Sequence, residues 1–265
     1  MMIEEVTSSR YNRTRAHPCG RSGTRNAVIG FGGEGGQESK VPVDTECEPR
    51  RVTPARAGGA NVHIRARNHH LRLPNNNLQR LTSFLEETHI IPTVRIPELI
   101  TRSACAPGKV VYFLFGNPEH IAEMVEVVAA AGKVPMVNID LVAGFSRDEA
   151  AISYLAHRQV QGIISTHVEP LRAARDYGLF AIRRTFLLDS AALESGLHSL
   201  EQFLPDALEI MPAIAAPHIL PRLRQMYPLL PVIAGGLITT LREIEDLFQQ
   251  GINSVSVSDY RLWIA

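Results

Sequence analysis

Ala234-Gly-Gly-Leu237 and Ser254-Val-Ser-Val-Ser-Asp259 are the stretches whose residue types could hold a ligand as well as fold. Val232 and Ile233 lead into Gly235-Gly236 as a buried strand leads into a sharp turn. Two glycines let backbone N–H groups approach a ligand with no Cβ in the way, and a helix N-terminus follows at Thr240. Those are the parts of a phosphate cradle. Glycine pairs also make ordinary strand-to-helix turns, so the dipeptide alone leaves both readings open.

Other strand ends carry polar groups: Asn138 and Asp140, Ser165-Thr166-His167, Arg183, Arg184 and Asp189, Glu209, and Ser258-Asp259. Glu209 lies within Ala207-Leu-Glu-Ile-Met211 and would be costly to bury unpaired. Arg184, on the preceding strand, is its natural partner, either to set register or to form part of a ligand site. Thr166 with Glu169 fits a capping box, which makes Ser165 the better ligand candidate. One of Asp189 and Ser190 is expected to cap the following helix. His167, His198 and His218 show no ligand spacing. Cys19, Cys47 and Cys105 form neither a Cys-x-x-Cys pair nor a mixed Cys/His set, so neither a metal site nor a disulfide framework is expected.

No nucleophile elbow, zincin helix or P-loop accompanies these groups. The lysines of residues 80–265 are Lys109 and Lys133, each just before a strand and so at the end of a barrel away from a ligand site. Schiff-base aldolase chemistry needs a lysine near the opposite end. The sequence offers a pocket without a catalytic team.

The elements that must position these residues are regular. Strand-like runs occur at Ile90–Arg95, Val110–Phe115, Val134–Leu141, Gly162–Thr166, Phe180–Leu188, Ala207–Met211, Pro231–Ile233 and Ser254–Ser258. Helical patterns lie between them at Pro118–Ala131, Arg147–Arg158, Glu169–Tyr177, Ala191–Phe203, His218–Met226 and Leu241–Gln249, with a weaker one in Ile96–Ala106. Asn117 before Pro118, Ser146 with Glu149, Thr166 with Glu169, and Thr240 with Glu243 read as helix starts. Gly132, Gly178 and Gly251 read as helix ends. Eight strands alternating with helices predict an α/β fold, a small TIM-like (β/α)8 barrel. An open doubly wound sheet is the alternative, but no Gly-x-Gly-x-x-Gly follows the first strand.

Net charge is zero over 265 residues but unevenly placed. Residues 1–79 hold 12 Lys+Arg against 7 Asp+Glu, and residues 80–265 hold 15 against 20. The division is therefore a basic Arg/Gly-rich extension, 1–79, and a barrel domain, 80–265. The extension has few large apolar residues and reads as disordered. It is either a genuine tail or a product of start-site choice; past Met2 the next methionine is Met124. Charged residues in Met1–Arg10 and the lack of a long apolar run predict a soluble, cytoplasmic protein.

Asn138-Ile-Asp-Leu-Val-Ala-Gly-Phe145, Gly162-Ile-Ile-Ser-Thr166, Ala181-Ile-Arg-Arg-Thr-Phe-Leu-Leu-Asp-Ser190, Glu209-Ile-Met-Pro212, Ala234-Gly-Gly-Leu-Ile238 and Ser258-Asp-Tyr-Arg-Leu-Trp263 occur in this order. Together they resemble the glycerol uptake operon antiterminator regulatory proteins, over about Leu81 to Trp263. The resemblance implies a barrel that is not an enzyme, binds glycerol-3-phosphate as its effector without a further cofactor, and then binds an mRNA leader. It implies that Gly235, Gly236 and Ser258 hold the phosphate and that Asp140, Arg184 and Glu209 line the polyol end, where Ser165 is also a candidate. The sequence departs from the family's common pattern at Asn138, Ala213 and Thr239, where His, Gly and Arg are frequent.

An RNA partner calls for a basic surface. The barrel domain is acidic overall, so Arg172 with Arg175, and Arg222 with Arg224, are the candidate local patches. Homo-oligomerisation is left open. The alternative functions are an isomerase or lyase acting on a small polyol or sugar phosphate, and an assembly protein with a vestigial pocket.

Overall fold

The structure, a computed structural model, describes residues 76–87 and 89–263. The expectations for residues 1–75, including disorder of the extension and the fates of Cys19 and Cys47, lie outside the described residues.

Eight short apolar strands form a closed barrel in chain order. They are β1 (Ile90–Val94), β2 (Val110–Phe113), β3 (Val134–Asn138), β4 (Gly162–Ser165), β5 (Phe180–Phe186), β6 (Ala207–Met211), β7 (Val232–Gly235) and β8 (Ser254–Val257). Every neighbouring pair is parallel, and β8 closes on β1 through Ile90 opposite Val255 and Ile91 opposite Ser256. Both faces of such strands are covered, which is why they read as near-continuous apolar runs.

Seven helices make the crossovers: α2 (Ile100–Cys105), α3 (Ile121–Ala130), α4 (Glu149–Ala156), α5 (Val168–Asp176), α6 (Ser190–Gln202), α7 (Ala216–Met226) and α8 (Leu241–Gln249). After β8 comes a 3₁₀ turn, Tyr260–Leu262, which leads to a buried Trp263 whose Nε1 donates to the Val257 carbonyl at 2.8 Å. No helix among the described residues is long and apolar enough to cross a membrane.

Several helix starts differ from the sequence expectation. Asp148, not Ser146, caps α4 by accepting from the Ala151 amide. The residue before α5 is His167, which makes no side-chain cap, and Thr166 is engaged elsewhere. Asn117 accepts from the Glu119 and His120 amides in the turn before α3. Asp189 caps α6, and the Thr240–Glu243 capping box opens α8 as expected.

The helix before the first strand was not anticipated. α1 (Asn76–Glu87) spans the boundary placed at residue 80 and buries Leu81 and Leu85 among Val110, Val134 and Phe180, the first residues of β2, β3 and β5. Phe84 meets Phe180 edge-on at 6.0 Å, and Arg80 lies over the same ring. α1 therefore stoppers the N-terminal end of the barrel and leaves the C-terminal end as its mouth. Leu85→Ala should cost about 2–5 kcal/mol in urea unfolding, whereas exposed Glu86→Ala should change stability by less than about 0.5 kcal/mol.

Candidate functional site

Alternation sends every second strand residue into the barrel, and the register stacks these in layers drawn from alternate strands. Near the middle, Ile91, Met136, Ile182 and Ile233 make an apolar layer. Above it, towards the mouth, lie Tyr112, Ile164, Glu209 and Ser256, and then Thr93, Asn138, Arg184 and Gly235. The barrel thus turns from apolar to polar as its mouth is approached.

Glu209 is wholly buried and Arg184 is 5% exposed. Register puts them side by side on β5 and β6, and Arg184 Nε donates to Glu209 Oε2 at 2.7 Å. Ser256 Oγ donates to Glu209 Oε1 at 2.6 Å, so both carboxylate oxygens are held. Arg184 Nη1 and Nη2 make no hydrogen bond among the described residues. The guanidinium is anchored through one nitrogen and has its fork to spare.

Gly235 explains how Ser256 reaches Glu209. A Cβ at 235 would fall 2.2 Å from Ser256 Oγ and 3.2 Å from Glu209 Oε1, so the hydrogen bond passes through the space a side chain would fill. The glycine read as half of a phosphate cradle is thus required by an internal contact. Gly236 is the turn residue, at φ +79°, and a Cβ there would lie 2.8 Å from Met211 Cε. Leu237 follows at φ 62° with its side chain exposed. Ser258 is exposed, two residues beyond Ser256 on the β8 line.

The start of α8 does not complete the cradle as the sequence suggested. The Thr239 and Thr240 amides donate to Glu243 Oε2 at 2.7 and 2.9 Å, so the chain's own carboxylate occupies that N-terminus. What the loop leaves uncommitted is Gly236 to Ile238, with Ser258 beside it on the line of the neighbouring β8.

Asp140 and Ser165 form a separate group. Asp140 accepts from Ser165 Oγ at 2.8 Å, the Thr166 amide at 2.7 Å, Thr166 Oγ1 at 2.9 Å and Arg147 Nε at 3.0 Å. Burial alone would push the Asp140 carboxyl up, but the Thr166 and Ser165 hydrogen bonds and the nearby His167 bring it below the ordinary value. Ser165 Oγ also accepts from the His167 amide. This bracket joins the loops after β3 and β4, and no hydrogen bond connects it to Arg184 or Glu209 among the described residues. Its link to the barrel interior is Asn138, whose Oδ1 accepts from the Asp140 amide at 3.0 Å. Thr166, assigned from sequence to a helix cap, is a ligand of Asp140 instead.

The candidate arginine patches are also engaged. Arg222 pairs with Glu194 through two nitrogens, and Arg224 donates to the Leu230 carbonyl and Asn253 Oδ1. Arg172 and Arg175 donate to the Gln202 and Leu204 carbonyls and lie over the Phe203 ring. These side chains fasten helices. No group of three or more His, Cys, Asp or Glu among the described residues could hold a metal ion. Sequence reasoning missed Ser256 and Tyr112. The signal for Ser256 was present in Ser254-x-Ser256-x-Ser258, since period two puts all three on the inner face.

The family model described as glycerol-3-phosphate responsive antiterminator matches residues 90–263. Among solved structures, the glycerol uptake operon antiterminator regulatory protein of Listeria monocytogenes str. 4b F2365 is 28% identical, with a TM-score of 0.62, covering 73% of this chain and 98% of that one. A glycerol uptake operon antiterminator-related protein of Thermotoga maritima MSB8 is 27% identical, with a TM-score of 0.60, covering 66% of this chain and 98% of that one. The uncharacterized protein YgcP of Escherichia coli strain K12 is 29% identical over 188 residues, 69% of this chain and 95% of its own. An aldolase, QR15, at 12% identity and a TM-score of 0.53 over 68% of this chain and 93% of its own, shares the fold alone.

Two outcomes follow from this geometry. Gly235→Ala should destabilise the protein in urea unfolding by about 1–3 kcal/mol through overpacking, and Ser256→Ala in the same chain should restore part of the loss by removing the clashing Oγ. For Asp140, the folded carboxyl titrates below its unfolded value of about 3.9. Its stabilisation is therefore complete above that value and lost as pH falls through the folded one. Asp140→Asn should be less stable than wild type near neutrality, and the difference should shrink on acidification below about pH 4.

Proposed function

The chain belongs to the glycerol-3-phosphate responsive antiterminator family, and we propose that it senses glycerol-3-phosphate at the mouth of its barrel and conveys the bound state to an mRNA leader. Ligand binding then permits transcription past a terminator in the cytoplasm. The observation that carries the reading is Arg184, fixed by Glu209 just below the mouth with its terminal nitrogens making no hydrogen bond among the described residues. Gly236 and Ser258 take the phosphate, and Arg184, with Glu209 behind it, meets the polyol end. Asp140 and Ser165 shape the loop beside that end.

A sensor also needs two arrangements that the ligand distinguishes. The loop between β7 and α8 supplies one element for this. Leu237 is held in the left-handed region, which for such a residue costs about 1–2 kcal/mol, and its side chain is exposed. A phosphate on Gly236 bears directly on that loop.

Catalysis on a small phosphate is the weaker reading. Lys133 Nζ donates to the Ala106 and Gly108 carbonyls in the connection entering β2, at the stoppered end of the barrel. Lys109 immediately precedes β2.

Calorimetric titration of the full chain with glycerol-3-phosphate, with phosphorus NMR for turnover, tests the proposal. Binding without turnover is expected, weakened roughly ten- to a hundredfold by Ser258→Ala, the range for losing a hydrogen bond to a charged group, and abolished by Gly236→Val. In single-round transcription through a leader terminator, protein and ligand together should raise read-through above either alone. Turnover that vanishes in Glu209→Gln would replace sensing by catalysis. Failure to bind any phosphorylated three- to six-carbon compound would sink both readings.

A further inference from the structure

Tyr112 is fully buried, and its Oη has no hydrogen-bond partner among the described residues. Buried polar atoms without partners are rare enough in folded proteins that each calls for a reason. On β2 the sequence runs Val-Val-Tyr-Phe, with Val110 and Tyr112 facing the axis and Val111 and Phe113 facing the helices. A phenylalanine at 112 would fill the same space without an orphaned hydroxyl. Packing therefore explains the ring and leaves the oxygen unexplained.

The oxygen sits in an informative place. Tyr112 shares its layer with Glu209 and Ser256, one step below Arg184. Both charges of the ion pair act on it: burial pushes the phenol well above its ordinary value, Glu209 adds to that, and Arg184 opposes it. The phenol is thus a neutral donor and acceptor beside the proposed polyol subsite. Ser258 at the mouth is two strand residues above Ser256, which at the tilt of a barrel strand is about 5 Å of depth.

We propose that Tyr112 is a specificity-determining residue of this site: its Oη hydrogen-bonds the ligand hydroxyl farthest from the phosphate and so selects small phosphates in which that hydroxyl is free. The inference rests on the phosphate-sensing reading and adds to it the group that reads the distal end.

The test is a cycle between one hydroxyl on the protein and one on the ligand. The full chain is titrated calorimetrically with glycerol-3-phosphate and with 1,2-propanediol 1-phosphate, which lacks the distal hydroxyl, in wild type, Tyr112→Phe and Ser254→Ala. Ser254 is the control, because its Oγ is also buried without a hydrogen-bond partner among the described residues but lies on the inner face two residues below Ser256. Wild type should prefer glycerol-3-phosphate by roughly five- to tenfold, the worth of one net hydrogen bond. In Tyr112→Phe the preference should fall to within about twofold, and in Ser254→Ala it should persist. The melting temperature of Tyr112→Phe should equal or exceed that of wild type, since the deleted hydroxyl has no hydrogen-bond partner among the described residues. An unchanged preference in Tyr112→Phe, no preference in wild type, or a markedly lower melting temperature in Tyr112→Phe overturns the assignment and leaves phosphate sensing standing. A wild-type chain that binds neither compound overturns the sensing reading and this inference with it.

Discussion

Two charges buried on the axis of the barrel are the constraint around which the mouth is arranged. Removing a guanidinium and a carboxylate from water costs several kcal/mol each, and their attraction repays this only when the geometry is good and the remaining valences are met. Here the register of β5 on β6 sets the two side by side, β8 provides Ser256 for the second carboxylate oxygen, and β7 leaves a gap at Gly235 for that bond to cross. Four consecutive strands thus converge on Glu209. Removing either charge would strand the other, a loss of about 3–5 kcal/mol in comparable pairs. The contribution of the other strands to the same two layers is largely uncharged, from Thr93, Tyr112, Asn138 and Ile164. The charge inside the upper barrel is therefore confined to one side of it.

The loops around the mouth hold themselves together with their own polar groups. Glu243 takes the Thr239 and Thr240 amides, and Asp140 takes the Thr166 amide and two hydroxyls. Each of these carboxylates removes a backbone donor that a bound anion could have used. What is left for a phosphate is narrow: the left-handed turn at Gly236 and the exposed hydroxyl of Ser258. Under the sensing proposal a small ligand lies between the fixed guanidinium below and the short turn above, each recognising one end group.

Much of this was legible in the sequence because it depends on local pattern. Eight apolar runs separated by amphipathic ones become eight strands and their crossovers, and Glu209 inside an apolar run correctly demands Arg184 as a partner. The failures have a common cause. Ser146, Thr166 and the arginines of α5 and α7 were read by residue type at a helix end or on a helix face. The actual partners of Thr166, Arg172 and Arg222, which are Asp140, the Gln202 carbonyl and Glu194, are set by which loops and helices barrel closure brings together. A capping motif offers several equivalent oxygens within a few residues, so Asp148 can displace Ser146 at no cost visible locally. α1 escaped notice because its signal is only Leu81, Phe84 and Leu85, and its partners lie on strands that begin as much as a hundred residues later. Ser256 and Tyr112 needed only the inward phase of their strands, which period-two reading supplies once the barrel is assumed.

Sharing a barrel with an aldolase at 12% identity says nothing about sharing its chemistry. Catalysis requires groups that bind the transition state better than the ground state. Glu209 is poorly placed for proton transfer, because both of its oxygens already accept hydrogen bonds from the protein. The same saturation favours a sensor. A carboxylate that cannot easily exchange partners keeps Arg184 in one position, so under the sensing proposal the guanidinium is organised in advance and little ordering is lost on binding. The strained element is elsewhere, at Leu237 in the loop the phosphate would touch. Signalling requires that one ligand bind two arrangements with different affinity, and under the sensing proposal the fixed Arg184 supplies recognition while the strained Leu237 turn is the element whose arrangement a ligand would bias.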